Sequence, residues 1–122
     1  MSELGTRIAE ATGLEVGVAE RAVGMMLAFL EQEGDQDIAR KMINAIPGAA
    51  ELVSAYGGEG GGFLGGLAGG LMGLGQDLMG LGLGMGEITT LARQTIAIAR
   101  QYAGDAVVDQ VVASVPGLSQ FV

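Results

Sequence analysis

The chain of 122 residues contains no cysteine, no histidine and no tryptophan. Disulfide bonds, zinc sites built on thiolates or imidazoles, thiol nucleophiles and catalytic triads with a histidine base are therefore excluded. Only carboxylates, hydroxyl groups and six Lys or Arg side chains remain for polar chemistry. Because no set of acid, base and nucleophile converges in the pattern, we predict a protein that is not an enzyme and that uses no cofactor or metal.

Basic and aromatic residues are also scarce. Six Lys and Arg residues stand against fourteen Asp and Glu residues, which gives a formal net charge of -8, and only 4% of the residues are aromatic. The positive surface and the stacking side chains of nucleic-acid-binding proteins are both missing, so we expect no nucleic-acid partner. The N-terminal sequence MSELGTRIAE lacks the basic start and the apolar core of a secretory signal, and we expect a cytoplasmic protein.

Glycine is the residue in excess. The chain has 23 glycines, and fifteen of them lie between Gly57 and Gly86. They follow neither the strict three-residue period of collagen nor the Ser-rich composition of a flexible linker. Composition therefore divides the chain into a first helical part, a Gly-rich central segment over 57–86 and a second helical part.

The two helical parts resemble each other. Residues 14–53 align without a gap on residues 83–122, at a constant offset of 69. The alignment ends with AIPG over SVPG, which pairs Pro47 with Pro116, and the apolar positions between the two ends also match. Self-similarity at a fixed offset is typical of stacked or pseudo-symmetric modules. We therefore predict one domain, 1–122, built from two copies of a helical unit.

Each copy shows the periodicity of a helix. Apolar residues recur at spacings of three and four in both copies, namely Ala19, Ala22, Val23, Met26, Leu27 and Leu30 in the first and Ile88, Leu91, Ala92, Ile96, Ala99 and Tyr102 in the second. Gly34 and Gly104 are expected to end these helices. A second helix is expected over 36–46 and over 105–115, in each case followed by a proline that ends it. With no alternating strand pattern in the sequence, we predict an all-α fold.

The central segment carries a seven-residue repeat. Its large side chains would form one stripe on a helix, made of Leu64, Leu67, Leu71, Leu74, Leu78 and Leu81. Small residues would form a face on which another backbone packs closely, made of Gly62, Gly65, Gly66, Gly69, Gly70 and Gly73. Nine glycines between 60 and 75 oppose this helix by about 9 kcal/mol relative to alanine, so we expect it to be covered by the two repeats, by another subunit or by lipid.

Three functions fit this pattern. The stripe and the Gly face favour a non-enzymatic interaction or assembly module that binds a protein partner or forms a homo-oligomer. The first alternative is a membrane-associated protein that inserts residues 60–86, although Asp77 in this segment costs about 2.5 to 3.5 kcal/mol near the centre of a bilayer. The second alternative is a carrier whose cavity for an apolar ligand is lined by the Leu and Met side chains.

The order of the motifs resembles a known group of proteins. A short N-terminal helix, TGLEVGVAERAVG at the start of a helix, the AIPG terminator, a Gly-rich middle and a closing VPGL follow one another along most of the chain. This order resembles the uncharacterised small bacterial helical proteins of the VcgC/VcgE-like group. The resemblance implies an all-α fold and a bacterial, non-catalytic protein, and it implies no site residues.

Overall fold

The computed structural model describes residues 3–56 and 71–115, and in this part of the chain every regular element is a helix. The predicted all-α fold is thereby confirmed. In chain order the helices are α1 (Glu3–Thr12), α2 (Val16–Glu33), α3 (Gln36–Ala45), α4 (Ala49–Tyr56), α5 (Leu71–Gly80), α6 (Met85–Ala103) and α7 (Asp105–Ser114).

Helix α2 is the centre of the bundle. It contacts α1, α3, α4, α5 and α6, and α1 also crosses to α6. All six residues of the first predicted apolar pattern are buried, and so are five of the second. The exception is Tyr102, which is 41% exposed in the last turn of α6. Tyr102 lines a small surface pocket together with Leu4 and Arg7 of α1.

The chain forms two helical hairpins, α2–α3 and α6–α7. In each of them a short junction connects the two helices. The carboxylate of Asp35 accepts hydrogen bonds from the backbone N–H groups of Asp37 and Ile38, which caps the first turn of α3. Gly104 has a φ of 92°, and it both ends α6 and begins α7. A residue with a Cβ is strained in this conformation, so glycine permits the shorter junction of the second hairpin.

The boundaries of the two hairpins repeat at the offset found in the sequence. Helix α2 begins at Val16 and α6 at Met85, while α3 covers Gln36–Ala45 and α7 covers Asp105–Ser114. Each second helix ends on a buried apolar residue with an extended backbone, Ile46 or Val115, whose N–H donates to the carbonyl three residues earlier. The superposition of the two units stays a prediction, and Pro116 lies outside the described residues.

The central segment does not form one continuous helix through Leu81, as the heptad stripe required. Helix α5 ends at Gly80, and Gly82 turns the chain with a φ of 101°. A new helix, α6, then begins, because the side chain of Glu87 accepts a hydrogen bond from the backbone N–H of Gly84 and satisfies a free donor at its start. The predicted stripe is therefore broken after Leu78, and the last residues of the segment over 57–86 belong to the second hairpin.

Candidate interaction surface

The residues of the predicted Leu stripe lie in different parts of the structure. Leu64 and Leu67 lie outside the described residues, while Leu71 and Leu74 belong to α5, where the surroundings of their side chains are not described. Leu78 is fully buried in the core, and Leu81 is half-buried in the turn after α5. In the described part of the stripe, Leu78 therefore packs inside this chain.

The predicted Gly face lies mostly outside the described residues. This applies to five of its members, Gly62, Gly65, Gly66, Gly69 and Gly70, whereas Gly73 belongs to α5. Close packing against glycine is found elsewhere. A Cβ built on Gly24 would lie 2.5 Å from the carbonyl oxygen of Leu52 in α4. Gly5 in α1 makes a similarly close approach to the side chain of Glu20 in α2.

The close packing of α4 on Gly24 is not among the contacts that the sequence patterns predict. A signal for it was present, because Gly24 and Ala28 have the four-residue spacing of small side chains that was applied to the central segment. Both residues are buried in α2. Across this contact, the guanidinium of Arg21 lies 5.7 Å from the centre of the Tyr56 ring, a cation–π distance. Helix α4 therefore packs against α2 through the backbone of Leu52 and through the ring of Tyr56.

Exposed apolar side chains gather at the turn between α5 and α6. Met79 is 47% exposed and Met85 57%, and both are among the large hydrophobic residues that the structure leaves in solvent. We name the exposed and half-buried residues here the α5–α6 corner, which consists of Met79, Gly80, Leu81, Gly82, Gly84, Met85 and Gly86. No residue between 78 and 86 carries a charge. Methionine commonly fills gaps in a core, but Met79 and Met85 lie at helix ends, where the turn leaves their side chains uncovered.

An open cleft beside α2 and α4 has a different character. It measures about 400 Å³ and lies between the start of α1, the turn after α3 and helix α4. The carboxylates of Glu3, Glu20 and Glu51 and the ring of Tyr56 line it. Among residues 3–56 and 71–115, no three carboxylates are arranged to hold a metal ion. The cleft is therefore an acidic groove.

A helix that spans a membrane must be both long and strongly apolar. In the described ranges, no helix combines the length and the hydropathy that a membrane span needs.

Comparison of the chain with protein-family models, curated proteins and solved structures gives no match.

Proposed function

We propose that the protein is a non-enzymatic helical assembly module that self-associates through the α5–α6 corner. The observation that supports this proposal is the exposure of Met79 and Met85, at 47% and 57%, within a stretch that has no charge. Methionine side chains are flexible and polarizable, and they are common at surfaces that adapt to a partner. Covering them in an assembly would remove apolar surface from water at about 25 cal/mol per Å².

Charge favours a second copy at this place. The chain carries a net charge of -8, so most pairs of surfaces from two copies repel each other. The corner is an uncharged stretch between Asp77 and Glu87, so a contact limited to its residues places no like charges against each other. The same charge opposes binding to anionic lipid headgroups, which attract Lys and Arg clusters. An assembly of copies is therefore favoured over insertion of residues 60–86 into a membrane.

Two further proposals concern family and location. We propose membership of the VcgC/VcgE-like group, because α2 begins inside the motif TGLEVGVAERAVG and α3 ends directly before Ile46 and Pro47 of the AIPG motif. We also propose a cytoplasmic location on the grounds of the acidic composition and the lack of cysteine.

The assembly is tested by replacing both exposed methionines with a polar residue of similar length, Met79→Gln and Met85→Gln. We expect the wild-type protein to associate reversibly in sedimentation velocity and light scattering. The double variant should weaken this association at least tenfold, since about 1.4 kcal/mol of lost apolar burial corresponds to a factor of ten. Thermal unfolding of the diluted variant should stay unchanged, because neither side chain belongs to the buried core.

The control places the same change on exposed alanines away from the corner, Ala97→Gln on α6 and Ala106→Gln on α7. This variant should associate like the wild type. A wild-type protein that is monomeric at every concentration would contradict the proposal. Flotation of the wild type with neutral or anionic vesicles, abolished by the methionine replacements, would instead assign the corner to a membrane surface.

A further inference from the structure

Sulfur is present in this chain only as the thioether of methionine. The sequence has seven methionines and no cysteine, so no thiol competes with the thioethers for an oxidant. Oxidation converts the flexible apolar side chain of methionine into a polar sulfoxide, and cells reverse this change enzymatically. The effect on this protein therefore depends on which methionines a dissolved oxidant reaches.

Burial divides the methionines whose side chains the structure describes into two groups. Met25, Met26 and Met42 are at most 4% exposed and belong to the core. Met79 and Met85 are about half exposed, on the two sides of the turn between α5 and α6. A buried thioether reacts only in molecules that open locally, and an opening that requires about 1.4 kcal/mol lowers the rate tenfold. An oxidant in solution therefore reaches the two exposed methionines first.

The turn before α2 is the counterpart of the turn between α5 and α6, and it carries no methionine. Gly13 and Gly82 correspond at the offset of 69 residues, and both have a positive φ, 78° and 101°. At the same offset, the two exposed methionines correspond to Glu10 and Val16. Two turns with a similar glycine conformation thus differ in chemistry, because only the second carries accessible sulfur. This sulfur lies in the α5–α6 corner.

We propose that Met79 and Met85 are a site of reversible oxidation by hydrogen peroxide that controls self-association, an inference that rests on the proposed assembly. Each thioether sulfur attacks one oxygen of the peroxide, so that a sulfur–oxygen bond forms and the O–O bond breaks. The departing hydroxide takes the proton of the transferred hydroxyl group and leaves as water. The sulfur loses two electrons, which reduce the peroxide, and the product is a sulfoxide.

The sulfoxide opposes association because the corner has no side chain that could bind its oxygen. The residues of the corner are Gly, Leu and Met, whose side chains donate no hydrogen bond. When a second copy covers the corner, the sulfoxide oxygen loses its hydrogen bonds to water and gains none from these side chains. Oxidation and association are therefore coupled, since assembly covers the two sulfurs and oxidation stabilises the separated chains.

The test treats the full chain with hydrogen peroxide and follows each methionine by peptide mass analysis. In dilute, separated protein, we expect Met79 and Met85 to gain oxygen at least about tenfold faster than Met25, Met26 and Met42. At concentrations at which the chain assembles, oxidation of Met79 and Met85 should become slower. Equal rates for the core and the corner methionines would overturn the inference.

Sedimentation velocity on the same samples measures the effect on the assembly. Oxidation of both corner methionines should raise the dissociation constant at least about tenfold, and the two sulfoxide reductases, one for each epimer, should restore it. A wild type that associates equally before and after this oxidation would overturn the inference and leave the assembly proposal standing. A wild type that is monomeric before treatment would overturn both.

The control variant is Met79→Leu with Met85→Leu. Leucine retains an apolar side chain of similar volume and has no sulfur, so this variant should associate like the wild type and keep its association in peroxide. If the same dose dissociated this variant, oxidation elsewhere in the chain would be the cause, and the assignment to Met79 and Met85 would be wrong.

Discussion

The first and the second hairpin have helix boundaries that agree within one residue, and they have different surroundings. Helix α2 buries the face that it shares with α6, and it also buries Glu20, Gly24, Met25 and Ala28. On α6 the residues at the same offset are half-buried or exposed, and two of them are Arg93 and Ala97. The difference teaches that the repeated pattern determines how the two helices of a hairpin pack, whereas a third helix determines what happens on the remaining face.

At Gly24 that third helix is α4, which follows the first hairpin after the turn at Pro47 and Gly48, whereas Glu20 packs against Gly5 of α1. Helix α4 lies against α2 and α3 and brings the carbonyl of Leu52 onto Gly24. At the corresponding position of the second hairpin, Arg93 replaces the glycine with a long charged side chain. A helix could not approach α6 as closely there. The two copies of the unit therefore differ more at the position where α4 packs, Gly24 or Arg93, than at the buried faces that both hairpins share.

The largest expected effect comes from removing this difference at Gly24. In Gly24→Ala the new methyl group would lie 2.5 Å from a backbone oxygen and 3.0 Å from a backbone carbon of Leu52, so α4 must move. Overpacking of this kind costs about 1 to 3 kcal/mol, beyond the roughly 1 kcal/mol that alanine contributes as a better helix former. We expect a lower urea midpoint and faster proteolysis around Tyr56.

The matched control is Arg93→Ala, which changes the exposed residue at the same offset on α6. Its free energy of unfolding should stay within about 0.5 kcal/mol of the wild type, as is usual at exposed positions without special contacts. Equal destabilisation by the two substitutions would show that α4 is not seated on Gly24.

The sequence predicts the apolar faces through which the helices of each hairpin pack, but it does not predict their contacts with other helices. The spacing of Ala19 to Leu30 predicts the buried face of α2, because a period of three and four side chains is a property of the helix itself. The exposure of Tyr102 and the break after Gly80 depend on a neighbouring helix and on a turn conformation, neither of which is encoded in that period. In the candidate site, the seven-residue repeat predicts a Leu stripe that continues to Leu81, whereas helix α5 ends at Gly80 and Met79 and Met85 are exposed. Composition indicated an apolar segment there, but only the turn decides which of its side chains face water.

A smaller effect, of opposite sign, is expected at Thr95 of α6. Its Oγ1 is buried without a hydrogen-bond partner in the described part of the chain, and the corresponding residue of the first hairpin is the apolar Met26. Thr95→Val retains the shape and removes the hydroxyl. Because an unsatisfied buried polar group costs about 1 to 3 kcal/mol, we expect the variant to be more stable by about 1 kcal/mol in urea unfolding.

Thr90→Val serves as the control for this change. The hydroxyl of Thr90 donates to the carbonyl oxygen of Gly86, so its removal loses a hydrogen bond at a half-buried position and should not stabilise the protein. If Thr95→Val lowered the urea midpoint, the hydroxyl would have a partner that stabilises the fold.

The smallest effect tests whether the first turns of α2 and α6 are equivalent. Gly17 and Gly86 correspond at the offset of 69 residues, and a Cβ built on either glycine meets no atom within 4 Å. Gly17→Ala and Gly86→Ala should each stabilise the protein by about 0.5 kcal/mol, since alanine restricts the unfolded chain at a position where the native backbone accepts it. The two gains should be equal and additive in urea unfolding, because the sites do not touch. A gain at Gly17 with a loss of association at Gly86 would separate the two positions, because only Gly86 belongs to the α5–α6 corner, where a methyl group would stand between two copies.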